Sequence, residues 1–165
     1  MSKLEAFTRH GETGVEVLDK DYLKWLETHS PSELGSKIVA YSWIVDGRKL
    51  MAQIDIANCI WQELPDASGF ICIESEWRPD NCVLLNAYGE ERMRLTVPWQ
   101  LTRELNPESA KPPTSFMRVS APFINPETSL RGEFGVIAWV EHAGTYYFEL
   151  DYHAGEFLWG REIRD

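Results

Sequence analysis

Lys37-Ile38-Val39-Ala40-Tyr41-Ser42-Trp43-Ile44-Val45-Asp46-Gly47-Arg48-Lys49-Leu50-Met51-Ala52-Gln53-Ile54-Asp55-Ile56 decides how the rest of the chain is read. Its first part is rich in β-branched and aromatic side chains, which fit a pleated, half-buried surface. Asp46-Gly47 supplies two residues that tolerate the positive φ of a two-residue hairpin turn. On the return, Leu50, Ala52, Ile54 and Ile56 share one face. The stretch therefore reads as an antiparallel hairpin.

The same period continues toward the C-terminus. After the turn Pro65-Asp66-Ala67-Ser68-Gly69, residues 70–77 put Phe70, Cys72, Glu74 and Glu76 on one face and Ile71, Ile73, Ser75 and Trp77 on the other. Arg78-Pro79-Asp80-Asn81 turns the chain. Residues 82–86 and 91–97 flank Tyr88-Gly89-Glu90 as a second hairpin. A meander closes the chain over 134–141, 145–151 and 156–163, with turns at His142-Ala143-Gly144 and Tyr152-His153-Ala154-Gly155.

Toward the N-terminus the period is helical. Tyr22, Leu26 and His29 stand at i, i+4 and i+7, which predicts a helix over 19–29 capped by Asp19 or Asp21. Ser30-Pro31-Ser32-Glu33 has a cap, a proline and a glutamate in the order of a helix start, with Gly35 as its stop. Residues 1–17 read as a loosely ordered lead-in. Residues 106–128 hold five of the nine prolines and read as a connector. The expected fold is α+β: a short N-terminal helical part, then a mainly antiparallel curled β-sheet of six to eight strands or a partly open barrel, with a sandwich as a variant. A chain of 165 residues is expected to be a single domain, 1–165, and to bury about 70% of its unfolded surface.

The formal charge is −10, and it is unevenly placed. Residues 50–77 contain Asp55, Glu63, Asp66, Glu74 and Glu76 with no Lys or Arg; residues 132–160 contain Glu133, Glu141, Glu149, Asp151 and Glu156, again with none. These two windows carry the whole net charge. Acidic side chains on rigid strands, interleaved with aromatics, form a docking face for a cationic partner, although acidity also serves solubility alone. The candidate partner-binding residues are Asp55, Glu63, Glu74 and Glu76 from the first window and Glu149, Asp151 and Glu156 from the second. Trp61 and Trp159 lie beside acids and turns and join the set. Tyr146-Tyr147 puts one ring on each face of its strand, so one ring is expected to be exposed, and Tyr146 is included.

Catalytic chemistry finds little support. His10-Gly11-Glu12 pairs a base with an acid but falls in the expected lead-in. Glu149, Asp151 and His153 alternate along one strand and could face a cation together, yet a metal site needs more converging ligands than one local run guarantees. Glu141-His142 with Glu133 is weaker. No phosphate loop, nucleophile elbow or zinc-protease motif is present, and no Ser-His-Asp set stands out. No catalytic residue, cofactor or metal is expected. Cys59, Cys72 and Cys82 are odd in number, lack paired spacing, and read as reduced core residues of a reducing compartment. The N-terminal residues lack the apolar core of an export signal, so a soluble, cytoplasmic protein is expected. No apolar run is long enough to cross a bilayer, and acidity argues against direct nucleic-acid or anionic-membrane binding.

At the level of class, the chain resembles the immunity proteins of bacterial polymorphic-toxin systems, of the contact-dependent inhibition and Rhs types. Compact size, strong acidity, strand-borne aromatics and the strand–turn–strand run Tyr146-Tyr147-Phe148-Glu149-Leu150-Asp151-Tyr152-His153-Ala154-Gly155-Glu156-Phe157-Leu158-Trp159 carry that resemblance. It implies one-to-one neutralisation of a cognate toxin domain, such as a basic nuclease. The alternatives are an enzyme or small-ligand binder using an acidic, aromatic-lined sheet cleft, and a structural or adaptor module.

Overall fold

The computed structural model describes residues 2–35, 37–54 and 59–164. Among these the chain is mostly antiparallel β, with three four-stranded sheets and one short α-helix. This corrects the α+β expectation, and no closed barrel forms. The predicted helix over 19–29 shrinks to α1 (Tyr22–Trp25), with single 3₁₀ turns at Asp19–Asp21 and Pro31–Leu34. None of the α1 residues is buried. A single turn with no fully buried side chain buries too little to extend against the entropy of nucleation. The helix start read at Ser30 does form: Glu33 Oε2 accepts the Ser30 N–H at 2.9 Å, although only one 3₁₀ turn follows.

The chain divides into two compact units, Met1–Phe70 with Leu85–Glu90, and Ile71–Leu84 with Glu91–Asp165. In the first unit, β1 (Leu4–Gly11), β2 (Glu16–Leu18), β3 (Ile38–Val45) and β4 (Arg48–Gln53) form a sheet of order β2-β1-β3-β4. Two of these strands occupy the segment read as a lead-in. Leu4 and Phe7 are both buried, yet they stand three residues apart. The register shifts between Glu5 and Thr8, and Ala6 takes φ 53°. That bulge breaks the period of two and hides the strand from pattern reading. The β3–β4 hairpin follows its sequence: Val45 pairs with Arg48 around Asp46-Gly47, both at positive φ. Phe7, Tyr41, Trp43 and Phe70 build the core with Trp61, and the Trp43 indole donates to the Ala87 carbonyl at 2.8 Å. Gly89 lies at φ 80° against this cluster, where a Cβ would come within 2.9 Å of the Trp43 ring.

In the second unit, β9 (Thr114–Ser120), β10 (Gly135–Val140), β11 (Gly144–Asp151) and β12 (Glu156–Glu162) form a sheet of order β12-β11-β10-β9. Strand β9 runs inside the proline-rich connector, between Pro113 and Pro122, so the prolines bracket a strand. Tyr146 is 1% exposed, and Tyr147 and Phe148 are fully buried. The expectation that Tyr146 or Tyr147 presents a free ring is therefore overturned. β11 is an interior strand covered on both faces, so alternation sends neither ring to solvent.

The third sheet has order β5-β6-β7-β8, from β5 (Cys59–Glu63), β6 (Gly69–Glu74), β7 (Cys82–Asn86) and β8 (Glu91–Leu95). The division between the units passes through β6 and β7. Cys82 is free and buried, and burial pushes its thiol pKa up to about 12, which makes it an unreactive core residue. Cys72 is disulfide-bonded, so the reading of three reduced cysteines does not hold.

Candidate functional site

The acids of the first window meet different fates. In the first unit, strand β5 presents Ile60, Trp61, Gln62 and Glu63 along one wall of a concavity of 540 Å³. Alternation puts Trp61 and Glu63 on the same face. The Trp61 ring leans on the core, 5.1 Å from Phe70 and 5.5 Å from Trp43 between centroids. Facing elements supply Arg9 from β1, Asp19 from the 3₁₀ turn, and Tyr22 and Leu23 from α1. Arg9 Nε donates to Asp19 Oδ1 at 2.5 Å, and its guanidinium lies 4.1 Å over the Tyr22 ring. Leu23 and Ile60 are 79% and 74% exposed. Burial pushes the Glu63 carboxyl above the ordinary carboxylate range, the neighbouring Asp19 charge adds to the rise, and Lys20 opposes it. Among the described residues no hydrogen bond or ion pair engages that carboxylate.

Glu74 and Glu76, in the second unit, are neutralised instead. Arg78 Nη2 and Arg94 Nη1 reach Glu74 Oε1 at 2.7 and 2.6 Å, and Arg78 Nη1 reaches Glu76 Oε2 at 2.9 Å. The hydrogen bond from Arg94 is the main reason the Glu74 carboxyl sits below its ordinary range. Arg78 stands just outside the base-free window, and Arg94 reaches in from β8. Asp55 lies outside the described residues.

The second window is spent partly on structure. Asp151 accepts the backbone N–H groups of His153 and Ala154 at 3.0 and 3.2 Å and so closes the turn between β11 and β12. Tyr152 donates its hydroxyl to Glu133 at 2.8 Å. Glu149 is half-buried, and desolvation raises its pKa; the Trp159 indole pulls the other way, although its buried N–H completes no hydrogen bond of good geometry. Glu133, Glu149, Asp151 and His153 line a concavity of 500 Å³ with the exposed Leu130 and Leu158. Trp159 and Tyr146 line another of 650 Å³, together with Arg103 and Arg161. Glu156 is exposed. Among the described residues, no group of three or more His, Cys, Asp or Glu is arranged to hold a metal ion.

His10 lies on β1, held by its neighbours. Ser42 Oγ stands 2.6 Å from its Nε2, and Glu16 Oε1 stands 3.4 Å from its Nδ1. The order nucleophile, base, carboxylate matches a hydrolase triad on distance. Ser42, however, is 3% exposed in mid-strand, and none of the concavities above is lined by it. The trio satisfies a buried hydroxyl and ties β1 to β2 and β3.

Sequence reasoning overlooked Leu23, Asp19 and Arg9 as parts of one site, because they come from segments taken for a lead-in and a helix. Trp77 was grouped with the other strand tryptophans. It is the one exposed tryptophan among the described residues, and its ring packs 5.8 Å from Trp139. Its place in the polar run Glu74-Ser75-Glu76-Trp77-Arg78 was the available signal.

Comparison with solved structures finds a likeness to a chain of the structure of Tne2 in complex with Tni2, with a TM-score of 0.65 over 98% of this chain and 99% of that one, at 13% identity. At that identity the likeness shows the fold. No family model matches the chain, and no curated protein matches it.

Proposed function

We propose that this protein is an immunity-type binding protein that neutralises a cognate toxin domain by direct protein–protein contact. The observation that carries the reading is the end-to-end likeness to a chain found in a two-protein complex. It supports immunity at the level of class. Acidity adds to it: the chain carries a formal −10, and Glu63, Glu149 and Glu156 form no ion pair among the described residues. Such a surface suits a cationic toxin domain, of which a basic nuclease is one kind. Neutralisation then proceeds by occupying the toxin, without catalysis. No helix of the described residues is long and apolar enough to cross a membrane.

Co-expression tests the reading. A candidate toxin domain, sought in the genes adjoining this one, is produced with and without the protein. Restored growth and a one-to-one complex on size exclusion are the expected results. Unchanged toxicity with no complex overturns it. The acidic, aromatic-lined concavity at Glu63 is the observation that favours a small-ligand binder, and such a binder would give no complex in this experiment.

A further inference from the structure

Two halves of the first unit's concavity can be set side by side. On one side a guanidinium is already seated: Arg9 bonds the Asp19 carboxylate and lies over the Tyr22 ring. Across from it stand a second carboxylate and a second aromatic wall, Glu63 and Trp61; Lys20 is near enough to favour the Glu63 charge, but no ion pair or hydrogen bond engages the carboxylate among the described residues. Exposed Ile60 and Leu23 flank the opening. The concavity's 540 Å³ falls within the range of about 300–1,000 Å³ usual for ligand pockets.

We propose that this concavity is the pocket in which the protein partner seats a basic side chain, an arginine, between Glu63 and Trp61. The assignment rests on the binding reading above and adds where, and by what chemistry, the partner is held. A planar guanidinium forms paired hydrogen bonds to a carboxylate and stacks on an aromatic face at the same time, which an ammonium does less well. Its aliphatic stem covers Ile60 and Leu23, burying apolar area that now faces water. Glu63 is already partly desolvated, so less hydration is lost when the cation arrives than at an open surface acid. The internal Arg9 arrangement is the template: carboxylate plus ring, used once within the chain and left open once.

The probe is Nα-acetyl-arginine methylamide, titrated into the full chain and followed by NMR at the Trp61 indole N–H and the Ile60 and Leu23 methyls. The uncharged citrulline analogue is the control, since it keeps shape and loses the charge. Saturable shifts with the arginine probe, roughly tenfold weaker binding in Glu63→Gln, and little response to citrulline are expected. Leu23→Ala, at an exposed position that leaves the fold intact, should weaken binding about twofold through lost stem contact. Equal response to both probes, or wild-type affinity in Glu63→Gln, overturns the proposal. Probe binding alongside a failed co-expression test keeps the pocket and removes the immunity reading. A toxin complex with no probe binding does the reverse.

Discussion

Residues 50–77 and 132–160 are alike on paper, each with five carboxylates and no base. Folding treats them differently. The first window is met at its end by Arg78 and, from β8, by Arg94, which neutralise Glu74 and Glu76. It leaves Glu63 unpaired among the described residues, in a concavity with exposed aliphatic rims. The second window receives no arginine partner for its carboxylates among the described residues; it spends Asp151 on turn amides and Glu133 on a tyrosine hydroxyl. Segregation of charge along the chain is therefore not segregation in space. A carboxylate is available to a partner only when neither a nearby turn nor a paired strand has already used it.

The largest effect expected concerns the turn that delivers Arg78. Asn81 is buried; it donates to the carbonyls of Glu74 and Phe116 at 3.0 Å each and accepts the Phe116 N–H at 2.9 Å. Asn81→Ala removes three hydrogen bonds to backbone groups, of which the Phe116 carbonyl keeps the Ser115 hydroxyl, and should cost about 3 kcal/mol, read from the urea midpoint at constant slope. A loss under about 1 kcal/mol would mean that water replaces the amide and that the turn is not what holds the arginines in place.

Next comes a pair of opposite sign. The folded-state pKa of Glu74 is depressed, so its contribution is present above the unfolded carboxylate value and is lost as pH falls through the folded one. Glu74→Gln should cost about 1–2 kcal/mol at pH ~7, the partial exposure of the network having reduced the figure, and progressively less as pH falls through the folded value. Glu63 and Glu149 have raised values, so the stability they contribute is present below the unfolded value and is lost as pH rises through the folded one. Glu63→Gln and Glu149→Gln should therefore leave stability at pH ~7 equal or slightly higher, by a few tenths of a kcal/mol, and flatten its decline with rising pH. Thermal melts across pH check both. If all three variants lose stability alike, the contrast between paired and unpaired acids fails.

Smallest of all is Glu76→Gln. Its side chain is 72% exposed and touches only the outer edge of Arg78, so the change should stay within about 0.5 kcal/mol in a denaturation series. A larger loss would show that Arg78 needs both of its neighbouring glutamates.

Much of the strand order was readable because the hairpins carry local signals. Asp46-Gly47, Tyr88-Gly89-Glu90 and the turn after Asp151 all lie where period-two runs meet turn chemistry, and strands β3, β4, β7, β8 and β10 to β12 fall close to their expected limits. What the pattern missed had lost its period. A bulge at Ala6 disguised β1, prolines on either side disguised β9, and short β5 was not seen. The helix over 19–29 was misread because its apolar stripe is real but short, and no layer covers it. For the site, Trp61 and Glu63 were legible as aromatic and acid side by side. Their opposite wall was not, because Arg9, Asp19 and Tyr22 meet them through long-range pairing that no local window contains.

Strand β11 carries three consecutive residues, Tyr146, Tyr147 and Phe148, with at most 1% exposure, and it is bonded on both edges by β10 and β12. In the language of hydrogen exchange, its amides have no cheap local opening, since freeing one edge still leaves the other. They should exchange only when the second unit unfolds as a whole. The slowest protons of that unit then serve as an internal clock for its global stability, against which the faster amides of the single-turn α1 can be read.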